Sequence, residues 1–175
     1  ASSWARASNP PVHWRYVSEA SGVTRVLRSS GAHLSEVDPR TGTTLWSQRL
    51  GSSGVLALEN SVLLSGSRGR LSLSDVLSGS NYWSRPLSDG RTSGVGMLTP
   101  TLAVAALVED GLVALDRISG RTVWTIRLHS EVNDLYQTPG RIVAIVGSRP
   151  DARRIFCLDD RSGAIEWSRE APQLT

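Results

Sequence analysis

Few residues in this 175-residue sequence have side chains suited to chemistry, and their spacing does not form a catalytic set. Cys157 is the only cysteine, which excludes an intrachain disulfide and a metal site built on several cysteines. Asp159 and Asp160 are adjacent carboxylates, the residue type that acid–base catalysis uses. A simpler interpretation is that Asp159 belongs to a turn and Asp160 is its solvated neighbour. The histidines share no metal-ligand spacing; they are His13, His33 and His129.

Serine is abundant, but it does not occur in the context that activates it as a nucleophile. No Gly-x-Ser-x-Gly sequence is present. The run from Ser65 to Gly69 resembles a phosphate-binding loop only in composition, because it lies between two predicted strands. We therefore expect no catalytic residue, no metal site, no cofactor and no enzymatic activity.

The informative feature is a motif that occurs four times: an Asp, a Gly four residues later, and a Trp four residues after that. The steps from one motif Trp to the next are 37, 41 and 43 residues. Constant motifs with variable spacers at a period near 40 residues are typical of structural repeats. The motif residues are Asp38, Gly42, Trp46, Asp75, Gly79, Trp83, Asp116, Gly120, Trp124, Asp159, Gly163 and Trp167.

Each motif has the pattern of a β-hairpin. In the third copy an alternating segment ends at Asp116, a turn contains Gly120, and a segment rich in β-branched residues follows. Strict alternation predicts that Thr122, Trp124 and Ile126 share one face of the second strand. We expect the four motif Trp side chains to fill equivalent buried positions between neighbouring sheets.

The sequence therefore predicts an all-β fold, a partial β-propeller of about four blades, each a four-stranded antiparallel sheet. The segments between motifs supply the remaining strands, with turns predicted at Glu59-Asn60 and Pro139-Gly140. We assign residues 24–170 to the blades, which end near residues 50, 87, 128 and 170, with the first blade incomplete. Residues 171–175 are predicted to be a linker. Residues 1–23 are interpreted as an outer or closing strand around Trp14, pairing with the last blade, or as a partner-binding segment.

Composition limits the class of partner. All 19 basic residues are Arg, and the formal net charge is +3. Because these arginines are scattered and form no basic stripe, we expect no nucleic-acid partner. No apolar run is long enough for a membrane span in this segment. Arg153 and Arg154, on a predicted long loop, are candidate contacts for an acidic protein surface, and Trp14 is a further candidate.

The motif from Ala114 through Asp116 and Gly120 to Trp124 resembles the tryptophan-docking motif of quinoprotein-type propellers, the PQQ-like repeats. The other three copies keep the Asp, Gly and Trp but carry Glu36, Leu73 and Cys157 where the family favours Ala. The resemblance implies the propeller fold. It leaves function open, because this fold is found in both enzymes and scaffolds.

Two non-enzymatic families of this type resemble the chain. One is the luminal propeller of the first subunit of the endoplasmic-reticulum membrane protein complex, an insertase, and the other is the bacterial outer-membrane assembly lipoprotein. The first is similar in its Trp14-Arg15 segment and in the blade ends at Trp46 and Trp83. Either resemblance implies a non-catalytic scaffold whose partners are subunits of a membrane complex, in the endoplasmic-reticulum lumen or the bacterial periplasm or cell surface.

The alternative is a fragment of a quinone-cofactor dehydrogenase. Resemblance to those enzymes implies adjacent cysteines under the cofactor, a calcium ion with Glu, Asn and Asp ligands, and an Asp base. The lone Cys157, which we expect to be a small buried side chain, does not supply the first of these. Because four blades are half of an ordinary propeller, we expect further sequence, a second copy or another subunit to complete the ring.

Overall fold

The computed structural model describes residues 12–18, 24–30, 33–50, 54–67, 69–87, 91–108, 111–147 and 153–171. Over these ranges every regular element is a β-strand, and the strands form four antiparallel four-stranded sheets that follow one another along the chain. None of the described residues belongs to a helix of the length and apolarity needed to cross a membrane. The predicted all-β class and four-bladed architecture are confirmed.

The strands of each sheet are consecutive in sequence. Sheet one contains β1 Val12–Ser18, β2 Thr24–Ser30, β3 His33–Val37 and β4 Thr44–Arg49. Sheet two contains β5 Gly54–Glu59, β6 Val62–Ser67, β7 Arg70–Asp75 and β8 Asn81–Pro86. Sheet three contains β9 Thr92–Leu98, β10 Leu102–Leu107, β11 Gly111–Asp116 and β12 Thr122–Arg127. Sheet four contains β13 Val132–Thr138, β14 Arg141–Val146, β15 Arg154–Asp159 and β16 Ile165–Glu170.

The sheets are arranged as the blades of a propeller. The first strand of each sheet lies against the first strand of its neighbour: β1 contacts β5, β5 contacts β9, and β9 contacts β13. The fourth strand of each sheet is therefore the outer strand. The turns of the repeated motif join the third and fourth strands, so they lie towards the outside of the blades.

The N-terminal strand differs from the sequence-based prediction. Val12–Ser18 pairs antiparallel with Thr24–Ser30, so sheet one has four strands, and pairing of this strand with the last blade is wrong. A short connection of residues 19–23 favours pairing with the next segment, whereas pairing with the last blade would require the whole ring to close. Residues 1–11 and 172–175 lie outside the described residues.

Sheet three is covered on both faces, and its sequence shows why. In β10 the even-numbered residues from Leu102 pack towards sheet four, whereas Ala103 and Ala105 pack towards sheet two. Strand β11 alternates in the same way. Burial of both faces requires an uninterrupted apolar strand. The apolar run that begins at Leu102 is therefore an interior strand of the stack.

A β-bulge precedes every motif Trp, at the same place in each sheet. In sheet three Ala114 pairs with Trp124 but Leu115 pairs with Thr122, so Val123 is the extra residue. The register shifts at the corresponding place in the other three sheets. Because a bulge interrupts alternation, Thr122 shares a face with Leu115, towards sheet two, while Trp124 faces sheet four. The expectation that Thr122 and Trp124 share a face is wrong.

Truncating Leu112, which is fully buried between sheets three and four, should be costly. We expect Leu112→Ala to lower the free energy of unfolding by about 2–5 kcal/mol, because lost burial adds to the cost of the cavity. Ile118→Ala is the control, since Ile118 is 88% exposed and its truncation should change stability by less than about 0.5 kcal/mol. Urea unfolding of both variants measures the difference, and equal effects would contradict the described core.

Candidate interaction surface at the blade seams

The third motif shows how the sequence forms its turn. The Asp116 carboxylate accepts hydrogen bonds from the backbone N–H of Ser119 at 2.7 Å and from its hydroxyl at 2.6 Å. The Gly120 N–H donates to the Asp116 carbonyl at 2.8 Å, and Gly120 has a φ of 68°. The Asp side chain thus replaces backbone partners within the turn, and Gly supplies the left-handed conformation that closes it.

The four motif aspartates share one electrostatic state. Hydrogen bonds from Ser119 and Ser162 hold the pKa of Asp116 and Asp159 below the ordinary 3.8. The backbone N–H of Arg40 has the largest effect in lowering the pKa of Asp38. Burial acts to raise the pKa of Asp75, but hydrogen bonds, first that of Ser61, outweigh it and lower the value. Each turn therefore stabilises an ionised carboxylate.

Trp83 packs on the turn of the following blade. Its indole N–H donates to the carbonyl oxygen of Arg117 at 2.9 Å, and a Cβ added to Gly120 would lie 2.7 Å from the indole ring. Arg85, two residues after this Trp, donates to the carbonyl oxygen of Ser119 at 2.8 Å. The absence of a side chain at Gly120 is what allows the indole to approach.

The same contact occurs at the next seam. Trp124 donates to the carbonyl oxygen of Asp160 at 2.8 Å, and a Cβ at Gly163 would lie 2.7 Å from its ring. Both acceptors directly follow a motif Asp. We call this arrangement the Trp–turn contact: an indole on the motif Gly of the next blade, with its N–H on the carbonyl after the motif Asp. Asp159 holds its turn, as the simpler interpretation predicts. Asp160 is half-buried and accepts the seam hydrogen bond through its carbonyl, which that interpretation, a solvated neighbour, did not predict.

Trp46 makes a different contact. Its indole N–H donates to the carboxylate of Glu36, its cross-strand neighbour in sheet one. A Cβ at Gly79, in the turn of sheet two, would meet no atom within 4 Å. Trp46 is half-buried and packs against the apolar cluster between sheets one and two. Glu36 supplies the acceptor within the sheet, where the corresponding residues in the other sheets are Leu73, Ala114 and Cys157.

Trp167 lies on the uncovered face of the last sheet and is 42% exposed. At the other end of the chain, a Cβ at Gly42 would meet no atom within 4 Å. The expectation of four equivalent buried Trp positions is therefore wrong: Trp83 and Trp124 are buried between sheets, Trp46 is half-buried between sheets one and two, and Trp167 is exposed. The two exceptions have different causes, a competing carboxylate for Trp46 and the end of the stack for Trp167.

The predicted contact residues have different positions. Arg153 and Arg154 are exposed, but Arg154 begins β15 and pairs with Glu170, so its assignment to a loop is wrong. Trp14 lies in β1, and its side chain is outside the described residues. These three residues are not brought together by any contact that the structure describes.

The cysteine and histidine residues that could take part in catalysis or metal binding do not form a common site in the described part of the chain. Cys157 is buried, and burial first, then Glu166, raises the pKa of its thiol. His33 and His129 are exposed, and the His13 side chain is outside the described residues. Within the part of the chain that the structure describes, no group of three or more His, Cys, Asp or Glu residues is arranged to hold a metal ion.

A set of exposed apolar side chains was missed by sequence reasoning. The extra residues of the bulges in sheets one, two and three are Leu45, Tyr82 and Val123, with exposures of 58%, 52% and 45%. We call them the bulge residues. In the sequence they can be found as the residue directly before each motif Trp. They were missed because strict alternation, which the bulges interrupt, was assumed for these strands. Sheet four has Glu166 at this place.

The fold and seam geometry define a β-propeller of PQQ-like repeats. A family model described as "Outer membrane protein assembly factor BamB" matches residues 30–103 and 67–175. The chain belongs to this family. A search of curated proteins found no match.

Solved structures show the same fold. BamB from Moraxella catarrhalis is 19% identical, with a TM-score of 0.64 over 93% of this chain and 52% of its own. The computationally designed Ika8 protein is 16% identical, with a TM-score of 0.67 over 85% of this chain and 47% of its own. Sqt1 from Saccharomyces cerevisiae is 13% identical, with a TM-score of 0.72 over 94% of this chain and 49% of its own. The chain spans about half the length of these structures.

Substitution of the motif glycines distinguishes the stability cost of strain in the turn from the cost of disturbing the Trp–turn contact. Gly120→Ala and Gly79→Ala each place a Cβ on a residue with a φ near 70°. We expect this strain to lower the free energy of unfolding by about 1 kcal/mol or more. Gly120→Ala should cost roughly 1–3 kcal/mol more, because its Cβ overlaps the Trp83 ring. Chemical denaturation compares the two variants. Equal losses would show that the Trp–turn contact contributes little to stability.

Acid should weaken the turns. Folding lowers the pKa of Asp116 and Asp159 below the ordinary 3.8. Their ionised carboxylates therefore contribute to the free energy of unfolding above pH 3.8, and this contribution is lost as the pH falls through the lower pKa of the folded state. We expect the free energy of unfolding to decrease from about pH 5 to about pH 2, and less steeply in the Asp116→Asn/Asp159→Asn variant, which cannot titrate at these turns. Denaturation at several pH values tests this. An unchanged pH slope in the variant would refute it.

Proposed function

We propose that this chain is a non-catalytic propeller scaffold in a membrane-associated complex of an extracytoplasmic compartment, with a role in the insertion or assembly of membrane proteins. Membership of a family described as an outer membrane protein assembly factor supports this proposal. The solved neighbours support the fold on which it rests.

The observation that carries the proposal is the exposure of the bulge residues. Leu45, Tyr82 and Val123 stand at one repeat position in three successive blades, and each is about half exposed. Covering apolar surface contributes roughly 25 cal/mol per Å². Side chains spread over the outer strands of three blades suit contact with a protein surface better than enclosure of a small molecule, which requires a concave pocket.

Charged residues support the same kind of contact. Arg153 and Arg154 are both exposed, one directly before β15 and the other at its first residue. Arg is enriched at protein interfaces, and its guanidinium forms paired hydrogen bonds with carboxylates. We assign these two residues to contact with an acidic surface of a protein partner, and retain Trp14 as a third candidate.

The scaffold function can be tested by complementation in the source organism. Depletion of the protein should lower the amount of folded integral membrane proteins and leave soluble extracytoplasmic enzymes unchanged. Wild-type protein should restore the loss, whereas Leu45→Ser/Tyr82→Ser/Val123→Ser should not. Ile118→Ser is the matched control, because Ile118 is exposed and apolar but lies in a turn, and it should restore assembly fully. Full rescue by the triple variant would show that the bulge residues are not part of the contact surface.

A second experiment separates the scaffold from the quinone-enzyme alternative. Pyrroloquinoline quinone and calcium are added to the purified chain, and the visible absorbance of the bound fraction is measured after gel filtration. We expect the cofactor to elute free of protein. Stoichiometric binding together with alcohol- or sugar-dependent dye reduction would overturn the non-catalytic proposal.

A further inference from the structure

The motif turn of sheet two is open, although it lies between two blades of the described chain. Gly79 is exposed, and a Cβ added to it would meet no atom within 4 Å. In the next two sheets the corresponding Gly120 and Gly163 are buried beneath an indole. The openness of this turn has its cause inside the chain, because Trp46 of the preceding blade donates its indole N–H within its own sheet.

The open turn has the backbone of the two turns that receive an indole. Gly79 has a φ of 72°, against 68° and 71° for the motif glycines of sheets three and four. The Asp75 carboxylate accepts a hydrogen bond from the backbone N–H of Ser78 at 2.8 Å, as the motif Asp does in those sheets. Val76 directly follows Asp75, so its carbonyl corresponds to the acceptors of the two indole N–H groups. Among the described side chains, no indole donates to it.

At the seam between sheets two and three, two side chains of one short segment bind the turn. The indole N–H of Trp83 donates to the carbonyl oxygen of Arg117, one residue after the motif Asp. Arg85 donates to the carbonyl oxygen of Ser119, three residues after the motif Asp. The segment that binds this turn is therefore Trp-x-Arg. In sheet one the residue two positions after the motif Trp is Gln48, so the guanidinium is missing there as well.

Charge favours the same kind of segment at the open turn. The turns of sheets one, three and four each contain an arginine, whereas residues 76–80 contain none. Burial acts to raise the pKa of Asp75, but hydrogen bonds, first that of Ser61, lower it below 3.8. The ionised carboxylate is therefore not balanced by an arginine of its own turn, and a guanidinium from outside the chain is attracted to it.

We propose that this turn binds an exposed Trp-x-Arg segment of a protein partner. The indole lies on Gly79, its N–H donates to the Val76 carbonyl, and the guanidinium donates to the Ser78 carbonyl. Trp46 and Val76 pack on one apolar cluster, and Leu45, which is 58% exposed, directly precedes Trp46. The site therefore adjoins the surface that the proposed function assigns to a protein partner.

This inference rests on the proposed scaffold function and names the chemistry of one of its contacts. Its test measures the binding of a peptide, whereas the proposed function is tested by the amount of folded membrane protein. Loss of peptide binding would therefore leave the scaffold function in place, and the two failures can be distinguished.

NMR titration of the purified, isotope-labelled protein tests the site with a peptide of residues 81–86, Asn-Tyr-Trp-Ser-Arg-Pro. We expect the amide signals of Gly79 and Val76 to shift. The Trp83→Ala peptide should bind about tenfold more weakly or worse, because a buried Trp carries much of the energy of a contact. The Arg85→Ala peptide should bind several-fold more weakly. Absence of a shift up to about 10 mM peptide, or equal binding of the Trp83→Ala peptide, would overturn the proposal.

Substitution of the turn glycine tests the same contact from the side of the protein. Gly79→Ala should weaken peptide binding about tenfold or more, because its Cβ would enter the space of the ring. Gly140→Ala is the matched control, with the same φ of 72° and the same open space, but in the turn between β13 and β14. It should leave binding unchanged, and circular dichroism confirms that both variants are folded. Equal weakening by the two variants would overturn the proposal.

Glu36 should determine whether the site is open. Glu36→Ala removes the carboxylate that holds the indole of Trp46, so that Trp46 can cover the turn at Gly79 itself. We expect this variant to lose peptide binding, although no residue of the site is changed. Glu36→Gln keeps an acceptor for the indole and should bind the peptide as the wild type does. Equal binding by the two variants would overturn the role of Glu36 in keeping the turn open.

The same spectra distinguish other occupants of the turn. If the Gly79 signal shifts with protein concentration in the absence of peptide, a second copy of the chain occupies the turn, and a separate partner is overturned. If free indole shifts this signal as strongly as the peptide at equal concentration, the turn binds small aromatic molecules rather than a protein segment, and the proposal is overturned as well.

Discussion

The structure depends on the packing of an indole against a backbone turn that has no side chain at its point of contact. Trp83 and Trp124 reach the next blade because Gly120 and Gly163 leave room for the ring. The same glycines have positive φ, so one residue type meets both the conformational and the steric requirement. The motif Asp fixes the turn and places the following carbonyl where the indole N–H needs an acceptor.

The contact also explains differences between the seams. Sheet three has neighbours on both faces, so its interior strands are apolar throughout. Between sheets one and two, the carboxylate of Glu36 takes the indole N–H of Trp46, and the turn at Gly79 stays open. A single residue facing the Trp across the strand pair therefore decides whether the Trp bonds within its own sheet or with the next blade.

The sequence predicted the blades and their turns because both depend on local chemistry. In each copy an Asp and a Gly form the turn, and the β-rich segments on either side form the two strands of a hairpin. The bulge before each Trp could not be predicted, because the sequence around Val123 alternates well enough to suggest a regular strand. The bond between Trp46 and Glu36 was also missed, because it depends on cross-strand register rather than on neighbours in sequence.

The bulge makes the exposed residue before each Trp independent of the position of the Trp in the seam. In a regular strand the residue before a Trp would belong to the ladder, and its side chain would point to the face opposite the Trp. As the extra residue of a bulge, that position is exposed and free of the ladder, while the Trp keeps its partner across the strand. It is Leu, Tyr, Val and Glu in the four sheets. The repeat can therefore vary its outer surface blade by blade while the Trp keeps its place in the seam.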